Sequence, residues 1–528
     1  MASLFQDIER RVIPNWRSYQ DTCAIGELGY YNLRPTANQI FTLDEYVNDW
    51  RENRDVLFAG ELLSAAVSNN QMECEEVTDA AEYILKNKEK ASNVQLKLAG
   101  CVIRDVEEKQ DEIASNGLLD KLLGTEKIIG DIILLKDRIR QYPYNPILYV
   151  EAARCYLLLG QINKAKRMMS IARHLGTHNR YVSRSAARFY LDIDDTEMAH
   201  DVIIRNEMVK EDPWLLASEI SICLVWERHS KLIKKSDSLL GDSQFDPFSV
   251  SELASTLGTV ELLDGSTKKS RNYFRQALIK PNDNSFAQAE WAKAHQIPLD
   301  ITGELAKQVK RNYEAQSLYK YYTDQFEDAL NESIVWLYDM PFSMDAALIG
   351  SEVAYMQLKK YDVAEKILRI GLKSRPNDVI LLNNLAYSYA LDNKLDEAER
   401  QLDIIDSLKN NEIKESTEVC SKATRGLVAY RRKHIEEGRA LYLEAARMSK
   451  ERGLDVEYNQ NALLNYFREE LKAAEGKLPE DDLIYIENYV KSINERPNQK
   501  YITVLKNDVI ALLKNKTVEI GENQINKN

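Results

Sequence analysis

The feature that most constrains this chain is a spacing of 34 residues. Tyr156 and Tyr190 are separated by that step, as are Ala165 and Ala199. Farther along, the same step joins Tyr355 to Tyr389, Ala364 to Ala398 and Leu368 to Leu402. Around each anchor, small and large residues alternate at helical spacing, as in Leu382-x-x-Leu385-Ala386-x-x-Tyr389. A fixed step of this size means that one supersecondary unit is copied and that no copy buries its apolar face without a neighbour. An array also answers the length, because 528 residues exceed what a single core accommodates. Only 20 Gly and 12 Pro punctuate the chain, which favours long helices with short turns over an all-β protein.

Small residues recur at two places in each copy. Ala153, Ala187, Gly258, Ala292, Ala386 and Gly426 fall on a first helix; Ala165, Ala199, Ala329, Ala364, Ala398 and Gly438 fall on a second. Two antiparallel helices of about a dozen residues approach closely only where side chains at the crossing are small. This pattern resembles the tetratricopeptide repeat family. Copies start near Pro146, Arg180, Trp214, Ser251, Ser285, Lys310, Asp345, Val379 and Val419, so the resemblance spans residues 146–452. Three copies depart from it. The Trp214 copy has Ile233 where a small residue is expected, the Ser285 copy is short and interrupted by Pro298, and the Lys310 copy has Lys320 at a large-residue place. An insertion over Glu412–Glu418 precedes the last copy.

The resemblance implies an all-α fold: a right-handed superhelical solenoid of antiparallel helix pairs, with a helical N-terminal region and C-terminal capping helices. We divide the chain into a helical cap or docking segment (1–55), helices open to reading as diverged repeats (56–145), a first array (146–309), a second array (310–452), and capping helices with a tail (453–528). The last helix is expected over Gln499–Leu513, with a polar tail that frays from Asn515.

Motifs that carry chemistry are sparse. Gly265-Ser-Thr-Lys-Lys-Ser superficially suggests a phosphate loop, but it lacks the first glycine and a preceding strand, so it reads as a turn between two helices. His174 and His178 have metal-pair spacing, yet Gly176 between them marks a helix end and no carboxylate completes the motif. His295 falls at a core place. No nucleophile elbow or cysteine-protease motif appears, so no catalytic activity and no cofactor are expected. Cys23, Cys74, Cys101, Cys155, Cys223 and Cys420 are far apart and without C-x-x-C spacing, which points to buried thiols in a reducing compartment. The first residues show no secretory pattern, and no apolar run is long enough to span a membrane, so we expect a cytoplasmic protein. A net charge of −13 opposes attraction to nucleic acid or to an anionic membrane.

In repeats of the resembled family the first helices line a concave groove. Carried over, the pattern places Ile349, Val353, Met356, Ile380, Asn383, Tyr387, Leu427 and Tyr430 on an apolar and aromatic floor, the kind of surface that takes an amphipathic helix or an extended peptide. Asn384 falls where similar repeats often hold an Asn that hydrogen-bonds a peptide backbone. In the earlier array the same places give Arg154, Arg184 and Arg188, a basic wall suited to an acidic peptide, a phosphate or a carboxyl terminus. The alternative for both sets is packing and ion pairing within the solenoid. The carboxylate clamp by which some relatives bind a chaperone tail is absent: Lys422 is followed four residues later by Gly426, not Arg.

These readings converge on a non-catalytic interaction scaffold or adaptor that holds a partner protein or peptide, as a subunit of a larger complex. A peptide-sensing regulator with a helical N-terminal effector is the alternative; it would be marked by compaction on peptide addition. An RNA-binding helical repeat is a third, marked by salt-sensitive binding at the arginines.

Overall fold

The computed structural model describes residues 43–525, apart from 69–73, 108–114, 194, 227, 243–244, 295–296, 310–311, 342, 409–414, 474–477 and 495–499. Most of the expected N-terminal cap, Cys23 and His295 therefore lie outside the described residues, as does the start of the insertion before the last copy. Among the described residues every regular element is a helix.

Local sequence explains where the helices begin. Asn145, Asn179, Asp212, Asp246 and Asp378 each cap a first helix, their side chains accepting from a backbone N–H one or two positions inside it. Pro146, Pro213 and Pro247 follow three of these caps, at the position where a missing N–H costs nothing. The turn into the second helix is equally regular. Gln161, Asp195, Lys394 and His434 donate their N–H to the carbonyls of Tyr156, Tyr190, Tyr389 and Ala429, each five residues back. The residue before three of these donors has a positive φ: Gly160 at 72°, Asn393 at 61° and Lys433 at 66°. That pairing closes the helix through a left-handed residue. Gly265, at φ 76°, occupies the same kind of turn, so the phosphate-loop lookalike is a helix hairpin.

The crossings follow the small residues. A Cβ on Gly258 would stand 3.0 Å from the Phe274 ring, and one on Gly426 2.9 Å from the Tyr442 ring. Ala165, Ala199, Ala329, Ala364 and Ala398 are fully buried. Irregular copies lose their second helix. Among the described residues, Pro213–Val225 is followed by a 3₁₀ turn, Ile233–Lys235, and a short helix, Ser236–Leu240, and Asp283–Ala294 by Gly303–Gln308.

Ahead of the arrays, Val56–Ser68, Glu75–Lys86 and Asn93–Glu107 pack around Trp50, Leu62, Ala80 and Leu98. At the other end Val456–Ala473 and Glu480–Ser492 match the expected capping helices, but the last helix, Lys500–Ile525, continues through the segment expected to fray. No proline interrupts that stretch.

The chain forms two compact units. One comprises the described residues of Asp7–Gln316 and Val335–Phe342; the other those of Ser317–Ile334 and Ser343–Asn528. We call them the first and the second unit.

Candidate functional site

In the second unit the first helices Val379–Leu391, Glu415–Arg431 and Val456–Ala473 lie side by side, beside a turn of π-helix, Val353–Gln357, that ends the helix Met344–Glu352. The face of this row is covered. The C-terminal helix Lys500–Ile525 packs on Val456–Ala473 and reaches across to Val353–Gln357. Among its described side chains Tyr501, Ile502, Leu505 and Val509 are buried, spaced along one face. Two ion pairs mark its rim: Lys500 Nζ lies 2.7 Å from Asp324 Oδ1, and Asp508 Oδ2 lies 4.0 Å from Lys359 Nζ.

Beneath this cover the expected groove floor is interior. Ile349, Val353 and Leu427 are fully buried, Met356, Asn383 and Asn384 nearly so, and Tyr387 and Tyr430 retain 5% of their exposure. Ile380 alone is partly exposed. An open apolar floor is thus corrected to a filled one. Tyr387 donates its hydroxyl to Asn465 Oδ1 at 2.8 Å and stacks edge-on against Tyr355, ring centroids 5.8 Å apart. Asn383 Oδ1 accepts from Thr424 Oγ1 at 2.9 Å. Tyr430 donates to Glu470, which Arg439 also holds. A charged row continues through Arg431 and Arg468, both on Glu469 at 3.0 and 2.8 Å. Burial alone would push the Glu469 carboxyl up; Arg468, Lys472 and Arg431 hold it below the ordinary value. At Glu352 burial dominates. Burial pushes its carboxyl up to about 7, against the hydroxyl that Tyr321 donates to it.

The basic wall of the first unit is likewise occupied. Arg154 donates from Nε to Glu151 Oε2 at 2.9 Å and from Nη1 to the Tyr338 carbonyl at 2.8 Å, while its guanidinium lies 4.6 Å from the Tyr338 ring centroid. Arg184 pairs with Glu252 and lies over Trp214. Arg188 pairs with Asp192 at 2.8 Å. Glu252 also accepts from Asn282 and Asn284, at 2.9 and 2.6 Å. Burial outweighs the Arg154 charge at Glu151 and pushes its carboxyl up to about 7. The structure brings each arginine to its own carboxylate and not to a shared vacancy, so the receptive wall is corrected to an internal ion-pair set.

His174 Nδ1 lies 2.7 Å from the Ser170 carbonyl near the end of its helix. Outside both faces, His200, Glu219 and Cys223 come together, a donor set the sequence reading missed. Glu219 and Cys223 are four apart in sequence, but nothing local signals His200.

No known family model matches the chain. No curated protein matches it either. Among solved structures it is similar to yeast Tom70, with a TM-score of 0.32 and 14% identity over 90% of this chain and 95% of that one. The tetratricopeptide-like helical repeat is carried by this chain's own spacing of caps, turns and crossings. No helix among the described residues is long and apolar enough to cross a membrane.

Proposed function

We propose that this protein is a non-catalytic interaction scaffold whose second unit binds an amphipathic helix of a partner on the face of its first helices. One observation carries the reading: that face holds such a helix already, the chain's own Lys500–Ile525, through four apolar side chains and a polar rim. A surface that accepts one amphipathic helix suits another of similar pattern. The resident helix would set the affinity, because a partner binds only the fraction of molecules in which the face is open. The reading as a peptide-sensing regulator shares this exchange. Its N-terminal effector would fall in residues 1–145, of which 1–42 lie outside the described residues. RNA binding gains no support, since the three arginines are matched by carboxylates.

The test uses a fluorescent peptide spanning residues 499–514 and the full chain. In a Leu505→Asp/Val509→Asp variant the resident helix loses its apolar anchor. We expect saturable peptide binding at least about tenfold tighter than to the unaltered chain, following the change in open fraction. A variant that melts much earlier and binds no peptide would make this helix plain core, and the proposal would fall.

A further inference from the structure

In the first unit, Glu219 and Cys223 stand one turn apart on helix Pro213–Val225, and His200 projects from the adjacent helix Thr196–Ile204. Cys223 Sγ lies 3.2 Å from Glu219 Oε1, His200 Nε2 lies 3.8 Å from the same oxygen, and all three donor atoms fall within 4.8 Å of one another. Glu219 and Cys223 are buried, while the His200 side chain keeps 25% exposure, so the cluster has an opening to solvent. The second carboxylate oxygen of Glu219 accepts from Ser230. The His200 ring rests against Trp226, centroids 5.6 Å apart.

The charge balance of this cluster is unusual. Among the described residues no lysine or arginine stands within ion-pair distance of Glu219; its partners are a thiol, a hydroxyl and an imidazole. Four other buried carboxylates in this unit, Glu151, Asp192, Asp212 and Glu252, have a guanidinium. A buried carboxylate with no guanidinium or ammonium beside it is costly. A divalent ion between these donors supplies the missing charge. One nitrogen, one oxygen and one sulfur make a borderline-soft set that suits Zn²⁺. Tetrahedral zinc, with bonds of about 2.0–2.3 Å, places its donors about 3.3–3.8 Å apart. The Glu219 spacings to Cys223 and His200 already lie near that range, and a small rotation of the His200 ring would close the third side.

We propose that His200, Glu219 and Cys223 form a zinc-binding site, with the fourth position taken by solvent or the Ser230 hydroxyl. Zinc takes the place of the Cys223 thiol proton, which is released to solvent. Binding therefore weakens in acid.

The test is a cobalt(II) titration of the full chain, stripped with chelator and kept reduced. We expect one equivalent bound, a thiolate-to-cobalt charge-transfer band in the near ultraviolet, and displacement by zinc. Cys223→Ser should abolish the band, and His200→Gln should retain it while weakening binding by more than about tenfold. Zinc-edge absorption of the unaltered chain reads the ligand set without any substitution and should give one sulfur with nitrogen and oxygen neighbours. No stoichiometric binding, a band undiminished in Cys223→Ser, or a zinc shell with no sulfur or several would each overturn the site.

Discussion

The two units satisfy the faces of their first helices by different means. In the first, charge answers charge: Arg154, Arg184 and Arg188 are bound to Glu151, Glu252 and Asp192, and the buried amides Asn282 and Asn284 complete the set. In the second, the row is apolar and aromatic around Ile349, Val353 and Tyr387, with its buried charges gathered at Arg468, Glu469 and Glu470, and a C-terminal helix covers it. The difference is one of separability. A buried ion pair cannot be parted without stranding a charge, whereas an amphipathic helix can leave as a body and be replaced by another. The first unit is therefore fixed by its polar interior, and the second holds the exchangeable surface.

The strongest way to break this contrast is at Glu252. Removing its carboxylate in Glu252→Ala leaves Arg184, Asn282 and Asn284 without their acceptor in a buried place. We expect a loss of about 3–5 kcal/mol, read from denaturant unfolding. Glu252→Gln keeps one acceptor and should lose less. A loss under about 1 kcal/mol for the alanine variant would mean that water serves these groups, and the first unit would then have no fixed polar interior.

The register was legible in the sequence because geometry demands it. Small residues at Ala165, Ala398 and Gly426 are needed wherever two helices cross, and each crossing is local in sequence. The caps were legible too, though unread: Asn145, Asn179, Asp212 and Asp246 recur at steps of 34, 33 and 34. The faces were not legible. Whether Tyr387 or Arg154 meets a ligand or its own chain depends on partners 78 and 184 residues away, Asn465 and Tyr338. Periodicity places a side chain on a face, and only the tertiary fold says what lies opposite. The departure of the Trp214 copy was legible as well, since Ile233 stands in a 3₁₀ turn followed by the short helix Ser236–Leu240.

The crossings sharpen the comparison because both units share them. Ala398→Leu in the second unit and Ala199→Leu in the first place three extra carbons where the side chain is fully buried. Each should cost about 1–3 kcal/mol by overpacking, with the loss confined to the unit that carries it. A neutral result at Ala398 would move the register of the second array. A neutral result at Ala199 alone would show that the first unit yields at its crossings as well as in its second helices.

The smallest effect bears most directly on what holds the resident helix. Lys500 Nζ lies 2.7 Å from Asp324 Oδ1, but the aspartate side chain is 62% exposed. An ion pair so placed gains little over water and is screened by salt, so Lys500→Ala should cost less than about 1 kcal/mol. Leu505 and Val509, fully buried on the same helix, carry the apolar contact instead. Hydrogen exchange over residues 501–509 separates the two contributions. If apolar contact dominates, protection there survives both Lys500→Ala and high salt. If protection collapses under either change, the helix is held by its rim, and release of the face would follow ionic strength rather than competition by another apolar helix.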